Sequence, residues 1–163
     1  MGVVGSPSGL RNVILPQKFK EAVLCQVMDY GCVGEEQSSA LFGDLPNRLR
    51  RYLEGETVDF PDKLDLFGAT RFQEDVWRIV RTISYGETRS YGWVASKLGS
   101  PKAARGVGQA LARNPLPIVI PCHRVIGSDG SLGGFSGGVE IKRFLLRLEQ
   151  VPSIEVPNKG RKR

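Results

Sequence analysis

A chain of 163 residues with 40% hydrophobic content can bury a core of one ordinary domain or two small ones. No apolar run reaches membrane-spanning length, the N-terminus lacks a signal peptide's charged start and apolar centre, and an odd count of three cysteines argues against a disulfide framework, so a reducing, cytoplasmic setting is expected. The net charge of +6 is uneven: residues 1–66 carry 7 Lys and Arg against 10 Asp and Glu, a net −3, whereas residues 67–163 carry 16 against 7, a net +9, which points to a polyanionic partner, most simply nucleic acid.

In chain order, Val13-Ile14-Leu15 reads as a strand ended by Pro16. Lys18 to Tyr30 has helical spacing at Ala22, Val23, Gln26 and Val27. A second helix is expected from Ser38 to Leu53, interrupted by Gly43 and Pro46 and followed by Gly55. Cys25 and Cys32 lie here without a neighbouring histidine, so they read as structural and no metal site is expected. A boundary falls near Asp65-Leu66-Phe67-Gly68, dividing the chain into an N-terminal part (1–66), a second domain (67–152) and a basic tail (153–163).

Thr70 and Gln73 form a capping-box pattern ahead of the apolar stripe Phe72, Val76, Ile79, Val80 and Ile83, with Trp77 beside it. Tyr85-Gly86-Glu87-Thr88 is a turn. Ser90 caps a short helix from Tyr91 to Leu98, Gly99 ends it, and Ser100 with Pro101 opens the next, which runs to Arg113. Two helices joined by a glycine turn are a helix-turn-helix candidate. The second holds Ala103, Ala104, Gly106 and Gly108 around a lone Arg105, and each glycine costs about 1 kcal/mol of helix propensity relative to alanine. Either a tight helix–helix contact or docking into a narrow groove accounts for such a surface. Gly127-Ser128-Asp129-Gly130 reads as a hairpin turn and 133–138 as a bent, glycine-rich loop. A final helix from Val139 to Gln150 is expected to bury Ile141, Phe144, Leu145 and Leu148, with Glu149 at its end.

The chemistry concentrates at Pro121-Cys122-His123-Arg124, which holds the only histidine of the chain. A thiol beside a base makes an activated nucleophile. An isolated Cys-His pair is most simply a packed thiol next to a surface imidazole, but the flanks favour function. The apolar, proline-bracketed run Pro115–Ile120 reads as a stiff extended arm delivering Cys122 to a fixed place. Neighbouring side chains of a strand face opposite ways, so the pair cooperates only if the chain turns here or a water bridges them.

These pieces together resemble the O6-alkylguanine-DNA alkyltransferases, the methylated-DNA–protein-cysteine methyltransferases. The resemblance is continuous from Gly68 to Glu149 and weaker from Gly9 to Leu66. It rests on Thr70-Arg71-Phe72-Gln73-Glu74-Asp75-Val76-Trp77, Tyr85-Gly86-Glu87-Thr88-Arg89-Ser90-Tyr91, Ala103-Ala104-Arg105-Gly106-Val107-Gly108, Asn114-Pro115 and Ile120-Pro121-Cys122-His123-Arg124-Val125-Ile126, in order and spacing. It implies an α+β fold: a small N-terminal α/β domain, with a shortened RNase H-like or ferredoxin-like sheet, and a mainly helical winged helix-turn-helix domain.

The resemblance further implies that Cys122 accepts an alkyl group from O6 of guanine, and from O4 of thymine, in a single irreversible turnover without a cofactor. His123 would take the thiol proton through a water, Glu149 orient His123, Asn114 hold the turn and Tyr91 face the base. DNA would be met by Arg105 as the wedge replacing a flipped nucleotide and by Ser90, Ala103, Ala104, Gly106, Gly108 and Arg124. Tyr91, Val125, Phe135, Ser136 and Gly137 would wall the alkylguanine pocket. The expected partner is double-stranded DNA containing O6-alkylguanine, met by a monomer, with no membrane involved. Phe135 stands where tyrosine is frequent, and Ile83-Ser84 replaces isoleucine-proline. Two other readings are a DNA-binding sensor of alkylation without repair, against which Cys122 argues, and a Cys-His hydrolase, which leaves the basic helix pair unexplained.

Overall fold

The computed structural model of the chain describes residues 1–17, 19–29 and 42–152. Lys18, Tyr30, Cys32, Ser38 and the basic tail lie outside the described residues. An antiparallel hairpin opens the chain, β1 (Gly2–Ser6) with β2 (Gly9–Ile14), paired from Gly2 with Ile14 to Ser6 with Gly9. The expected strand at 13–15 is the end of β2, and the N-terminal sheet is this two-stranded hairpin among the described residues. Gly9 has φ 143°, and a Cβ there would meet the Lys63 carbonyl oxygen at 2.4 Å. That close approach lets Leu10 N–H donate to Lys63 O (2.8 Å) and Asp65 N–H to Leu10 O (2.8 Å). On the hairpin's other side Val13 N–H donates to Pro115 O at 2.9 Å.

Helix α1 (Lys20–Met28) lays Val23 against β1, while Cys25, read as structural, is exposed. Helix α2 (Leu45–Leu53) starts after Gly43, and Pro46 sits in its first turn, where the missing N–H has no intrahelical partner to lose. Phe42 is helical ahead of Gly43 and a turn at 43–44 separates it from α2, so Gly43 interrupts the expected helix as the sequence suggests, whereas Pro46 marks the start of α2 rather than a break. Leu45, Leu49 and Tyr52 make its buried stripe, and the Arg48 guanidinium clamps it to Asp62 through two bonds of 2.8 and 2.7 Å.

Helix α3 (Arg71–Val80) has the expected capping box: Gln73 N–H donates to Thr70 Oγ1 and Thr70 N–H to Gln73 Oε1. Val76, Trp77 and Val80 are buried, whereas Phe72 stays exposed at the edge of the stripe. The helix-turn-helix follows as α4 (Tyr91–Lys97), a 3-10 turn (Pro101–Ala103) and α5 (Ala104–Ala112). Ser90 Oγ accepts Trp93 N–H at 3.0 Å, and Gly99 ends α4 at φ 72°. Ser100 makes no side-chain cap, because Pro101 starts a 3-10 turn that uses the Ser100 carbonyl instead. Trp77 Nε1–H donates to Ala110 O (3.0 Å), and a Cβ on Gly106 would lie 3.3 Å from the Phe72 ring. Gly106 therefore serves a close helix–helix contact.

Strands β3 (Arg89–Ser90) and β4 (Val125–Ile126) pair in parallel. The turn at 127–130 forms, closed by Gly130 N–H to Gly127 O, but no second strand follows it, because β4 is taken by β3. Helix α6 (Val139–Leu148) buries Lys142, Leu145 and Leu146 and leaves Phe144 exposed, correcting the expected stripe by one face. One apolar core joins Leu10, Val13, Leu49 and Tyr52 to Val76, Val80, Val107 and Leu145. No helix among the described residues is long and apolar enough to cross a membrane.

Trp77→Phe deletes the donor to Ala110 and part of a buried ring system, while Ala110 O keeps the Arg113 N–H at 3.2 Å. Urea unfolding should show a loss of about 1–3 kcal/mol, from one buried hydrogen bond and the packing lost with the smaller ring.

Candidate active site

The segment before Cys122 is coiled rather than extended. Pro115 and Pro117 have no N–H to give a ladder, and Asn114 takes over: its Oδ1 accepts Leu116 N–H (2.9 Å) and its Nδ2 donates to Ile120 O (2.9 Å). Ile120 N–H closes back on Leu116 O at 2.7 Å, which forces Ile118 to φ 77°. A β-branched residue there costs about 1–3 kcal/mol and persists only where its surroundings hold it; Ile118 is buried in the core. Pro121 (φ −78°, ψ 61°) then forms an inverse γ-turn, with Cys122 N–H donating to Ile120 O at 2.7 Å. The chain enters a single 3-10 turn, Cys122–Arg124, and all three side chains face inward. This is the turn that cooperation between Cys122 and His123 requires.

Glu149 meets them from the end of α6. There Gln150 takes φ 56°, Gln150 N–H donates to Arg147 O and Val151 N–H to Leu146 O, a Schellman ending with Val151 packed near Leu146. The cap position, Glu149, is thereby aimed inward with no side-chain exposure. Its Oε1 accepts from Tyr52 Oη (2.6 Å), His123 Nε2 (2.9 Å) and Arg124 Nη2 (2.8 Å), and its Oε2 from Arg124 Nε (2.9 Å) and Gly86 N–H (3.2 Å). Burial by itself raises the Glu149 pKa, but hydrogen bonds from His123 and Arg124 outweigh it and hold the carboxyl at about 2. Since Nε2 faces an ionised carboxylate, it carries the proton. Nδ1 is left as the basic nitrogen, buried and without a hydrogen-bond partner among the described residues. Burial lowers the His123 pKa, against the pull of Glu149, so the imidazole is neutral at neutral pH.

Cys122 is buried, and Asn114 Nδ2 donates to its sulfur at 3.0 Å. Burial pushes the thiol's pKa up, against Asn114 and the Lys142 ammonium. The resting group is therefore a thiol, not the standing thiolate that the adjacent base suggests. Lys142 is itself buried, donates to the carbonyls of Val125 (2.6 Å) and Leu132, and lies 5.8 Å from the centroid of the Tyr91 ring. Burial brings its pKa down to about 8. The Tyr91 phenol is pushed up by burial and by Cys122, and remains a proton donor at neutral pH.

Of the expected DNA-facing residues, Arg105 is exposed on α5, with Ala103, Ala104, Gly106 and Gly108 half-buried beside it, and Gly108 facing the Tyr91 ring. Ser90 is half-buried at the cap of α4. Arg124 is a correction: it is buried, with Nε and Nη2 on Glu149 and Nη1 on Ile83 O (2.6 Å), so its charge is used inside rather than on DNA. Val125 is fully buried, and its carbonyl accepts from Lys142 Nζ. Phe135 packs against the core. Ser136, Gly137 and Asn114 share a cleft of about 310 Å³ with Val13 and Leu15 of the hairpin side. No group of three potential metal ligands occurs among the described residues.

The sequence reading missed Tyr52 and Lys142. Tyr52 sits on an apolar helical stripe and reads as plain core. Lys142 lies between Ile141 and Phe144, where a charge normally marks the solvated face, and nothing in the sequence signals its burial.

Glu149→Gln should cost about 3–5 kcal/mol at neutral pH by leaving Arg124 unpaired in the interior. The wild-type carboxyl is depressed from 4.5 to about 2, so its contribution is full above pH 4.5 and fades as pH falls towards 2. Denaturant curves of the two proteins should accordingly converge on acidification.

The family description "6-O-methylguanine DNA methyltransferase, DNA binding domain" matches residues 71–151. The methylated-DNA–protein-cysteine methyltransferase of Mycobacterium bovis is 50% identical over 109 residues, 67% of this chain and 66% of that protein. That of Mycolicibacterium paratuberculosis is 48% identical over 149 residues, 90% of each. The crystal structure of Mycobacterium tuberculosis OGT in complex with DNA superposes with a TM-score of 0.70 at 39% identity, covering 91% of this chain and 84% of that one. The chain belongs to the methylated-DNA–protein-cysteine methyltransferase family.

Proposed function

We propose that this protein repairs DNA by moving an alkyl group from O6 of guanine, and from O4 of thymine, onto its own Cys122, once per molecule, as a monomer on the duplex. One observation carries the reading. A buried thiol and a buried imidazole share a single turn, and the imidazole is fixed by Glu149 so that its free lone pair is on Nδ1.

The target oxygen lies inside the duplex, so the nucleotide rotates out at a cost of roughly a few kcal/mol. The small-residue face of α5 enters the minor groove and Arg105 fills the gap. His123 Nδ1 takes the Cys122 proton through one water as the sulfur attacks the alkyl carbon. The S–C bond forms, the C–O bond breaks, and its electron pair moves onto the guanine ring. Tyr91 donates a proton to that ring, and the nearby Lys142 ammonium stabilises the negative charge left behind. The product thioether has no leaving group for water to displace, which makes the turnover single. A sensor would need no nucleophile, and a hydrolase would need no helix-turn-helix.

Incubated with a duplex containing O6-methylguanine, the intact protein should gain one methyl group, mapped to Cys122. Cys122→Ser should bind the duplex and gain nothing. An adduct shared equally with Cys25 defeats the assignment.

His123→Ala should shift the pH–rate curve with O6-benzylguanine upward, to or beyond the ordinary thiol range near pH 8.5, because burial opposes the thiolate. Unchanged reactivity at neutral pH removes the base role.

Arg105→Ala should slow repair of duplex DNA far more than reaction with free O6-benzylguanine, which needs no flipping. If Arg105 is only a phosphate contact, affinity falls and the salt slope drops by about one.

A further inference from the structure

Glu149 has a difficult task. It must hold His123 in one orientation, and a naked buried carboxylate would also favour its protonation from solvent, ending its use as a base. The structure surrounds Glu149 with other donors. Arg124 and the Gly86 N–H are two of them. A third, from the N-terminal part of the chain, is Tyr52, which is fully buried and whose hydroxyl donates to Glu149 Oε1 at 2.6 Å while its oxygen stands 3.2 Å from His123 Nε2. A phenol in the core needs a partner, but most apolar neighbours of Tyr52, including Phe60 and Tyr85 in edge contacts, would accept a phenylalanine equally well. The hydroxyl is what this position adds.

We propose that Tyr52 is a positioning residue for alkyl transfer: its hydroxyl shares the Glu149 carboxylate with His123, and so keeps the imidazole neutral, with its proton on Nε2 and Nδ1 bare, when the thiol proton has to be taken. This rests on the reading of Cys122 as the alkyl acceptor. Two effects of the hydroxyl oppose each other. Its hydrogen draws charge from Oε1, which disfavours imidazolium; its oxygen lies near Nε2–H, which favours it. The first contact is the shorter, 2.6 Å against 3.2 Å, and it involves the full charge, so it dominates. The tyrosine proton is not itself lost, since burial and Glu149 both raise its pKa far above the working range. The charged and titratable groups around His123 are then Glu149 and Lys142 from α6, Arg124 and Cys122 from its own turn, and Tyr52 from α2, with Tyr85 beneath the Arg124 guanidinium at 5.9 Å. Of these only Tyr52 comes from the first 66 residues. The N-terminal part thus tunes the base as well as supporting the core.

Because the chain has one histidine, imidazole nitrogen-15 NMR of the full-length protein reads this site alone. In Tyr52→Phe the titration midpoint of His123 should rise by about one unit, and the acid limb of the O6-benzylguanine pH–rate profile should rise with it, with duplex affinity unchanged. A second protein carrying 3-fluorotyrosine at position 52, a stronger donor with the ring retained, should move the midpoint the other way, and it decides the matter if Tyr52→Phe does not fold. An unshifted midpoint and profile in the folded variants overturn the inference and leave Tyr52 as packing. A wild-type protein that gains no methyl from the methylated duplex overturns the alkyl-transfer reading instead, and the substrate-free titration still tests the tie between Tyr52 and His123.

Discussion

A single ionised carboxylate in a dry interior organises this protein. Glu149 accepts from α2, from the turn that carries the nucleophile and from the backbone at Gly86. A buried charge is tolerated only when its lone pairs are used, so each of these segments is held in place by the same requirement. The helix ending at Gln150 matters for this reason: the left-handed residue stops α6 at the point where the cap side chain turns inward. An anion at a helix C-terminus is opposed by the macrodipole, and Arg124 supplies the compensating charge.

The nucleophile is built on the opposite principle. Cys122 is packed, hydrogen-bonded by Asn114 and uncharged at rest, with a cation, Lys142, close enough to matter once a negative charge develops. A thiol kept in this form is protected from stray electrophiles and oxidants, since the thiolate is the reactive species. Reactivity is then tied to the proton path from Cys122 through a water to His123 Nδ1 at the moment the alkyl carbon is in place. The strained Ile118 and the γ-turn at Pro121 are the backbone cost of placing thiol and imidazole on one inward-facing turn.

Much of this was legible in the sequence because it is local. The capping box at Thr70 and Gln73, the cap at Ser90, the stop at Gly99 and the Cys-His pair are all set by residues within a few positions of one another. The reading failed where distant residues decide. One local case also escaped it: the run 115–120 looks extended by composition, but the adjacent Asn114 folds it by side-chain bonds. Arg124 looks like a surface cation until its carboxylate, far along the chain, is in place, and Lys142 and Phe144 exchange expected places because two carbonyls, at Val125 and Leu132, await an ammonium. Tyr52 carried no sign of chemistry at all, since a tyrosine on an apolar stripe is ordinary core.

The long-range bonds of Leu10 and Val13 have a consequence for how the chain reaches this state. The first two strands are made early in synthesis, yet their backbone partners are Lys63, Asp65 and finally Pro115. Until those arrive, a short apolar ribbon has open edges and no complete core beneath it, the circumstance in which strands pair with the wrong chain. Long-range closures of this kind also slow folding. The bond from Val13 to the carbonyl of Pro115, next to Asn114, ties the hairpin to the loop that bears the nucleophile, so that loop is complete only when the first strands have come back to it.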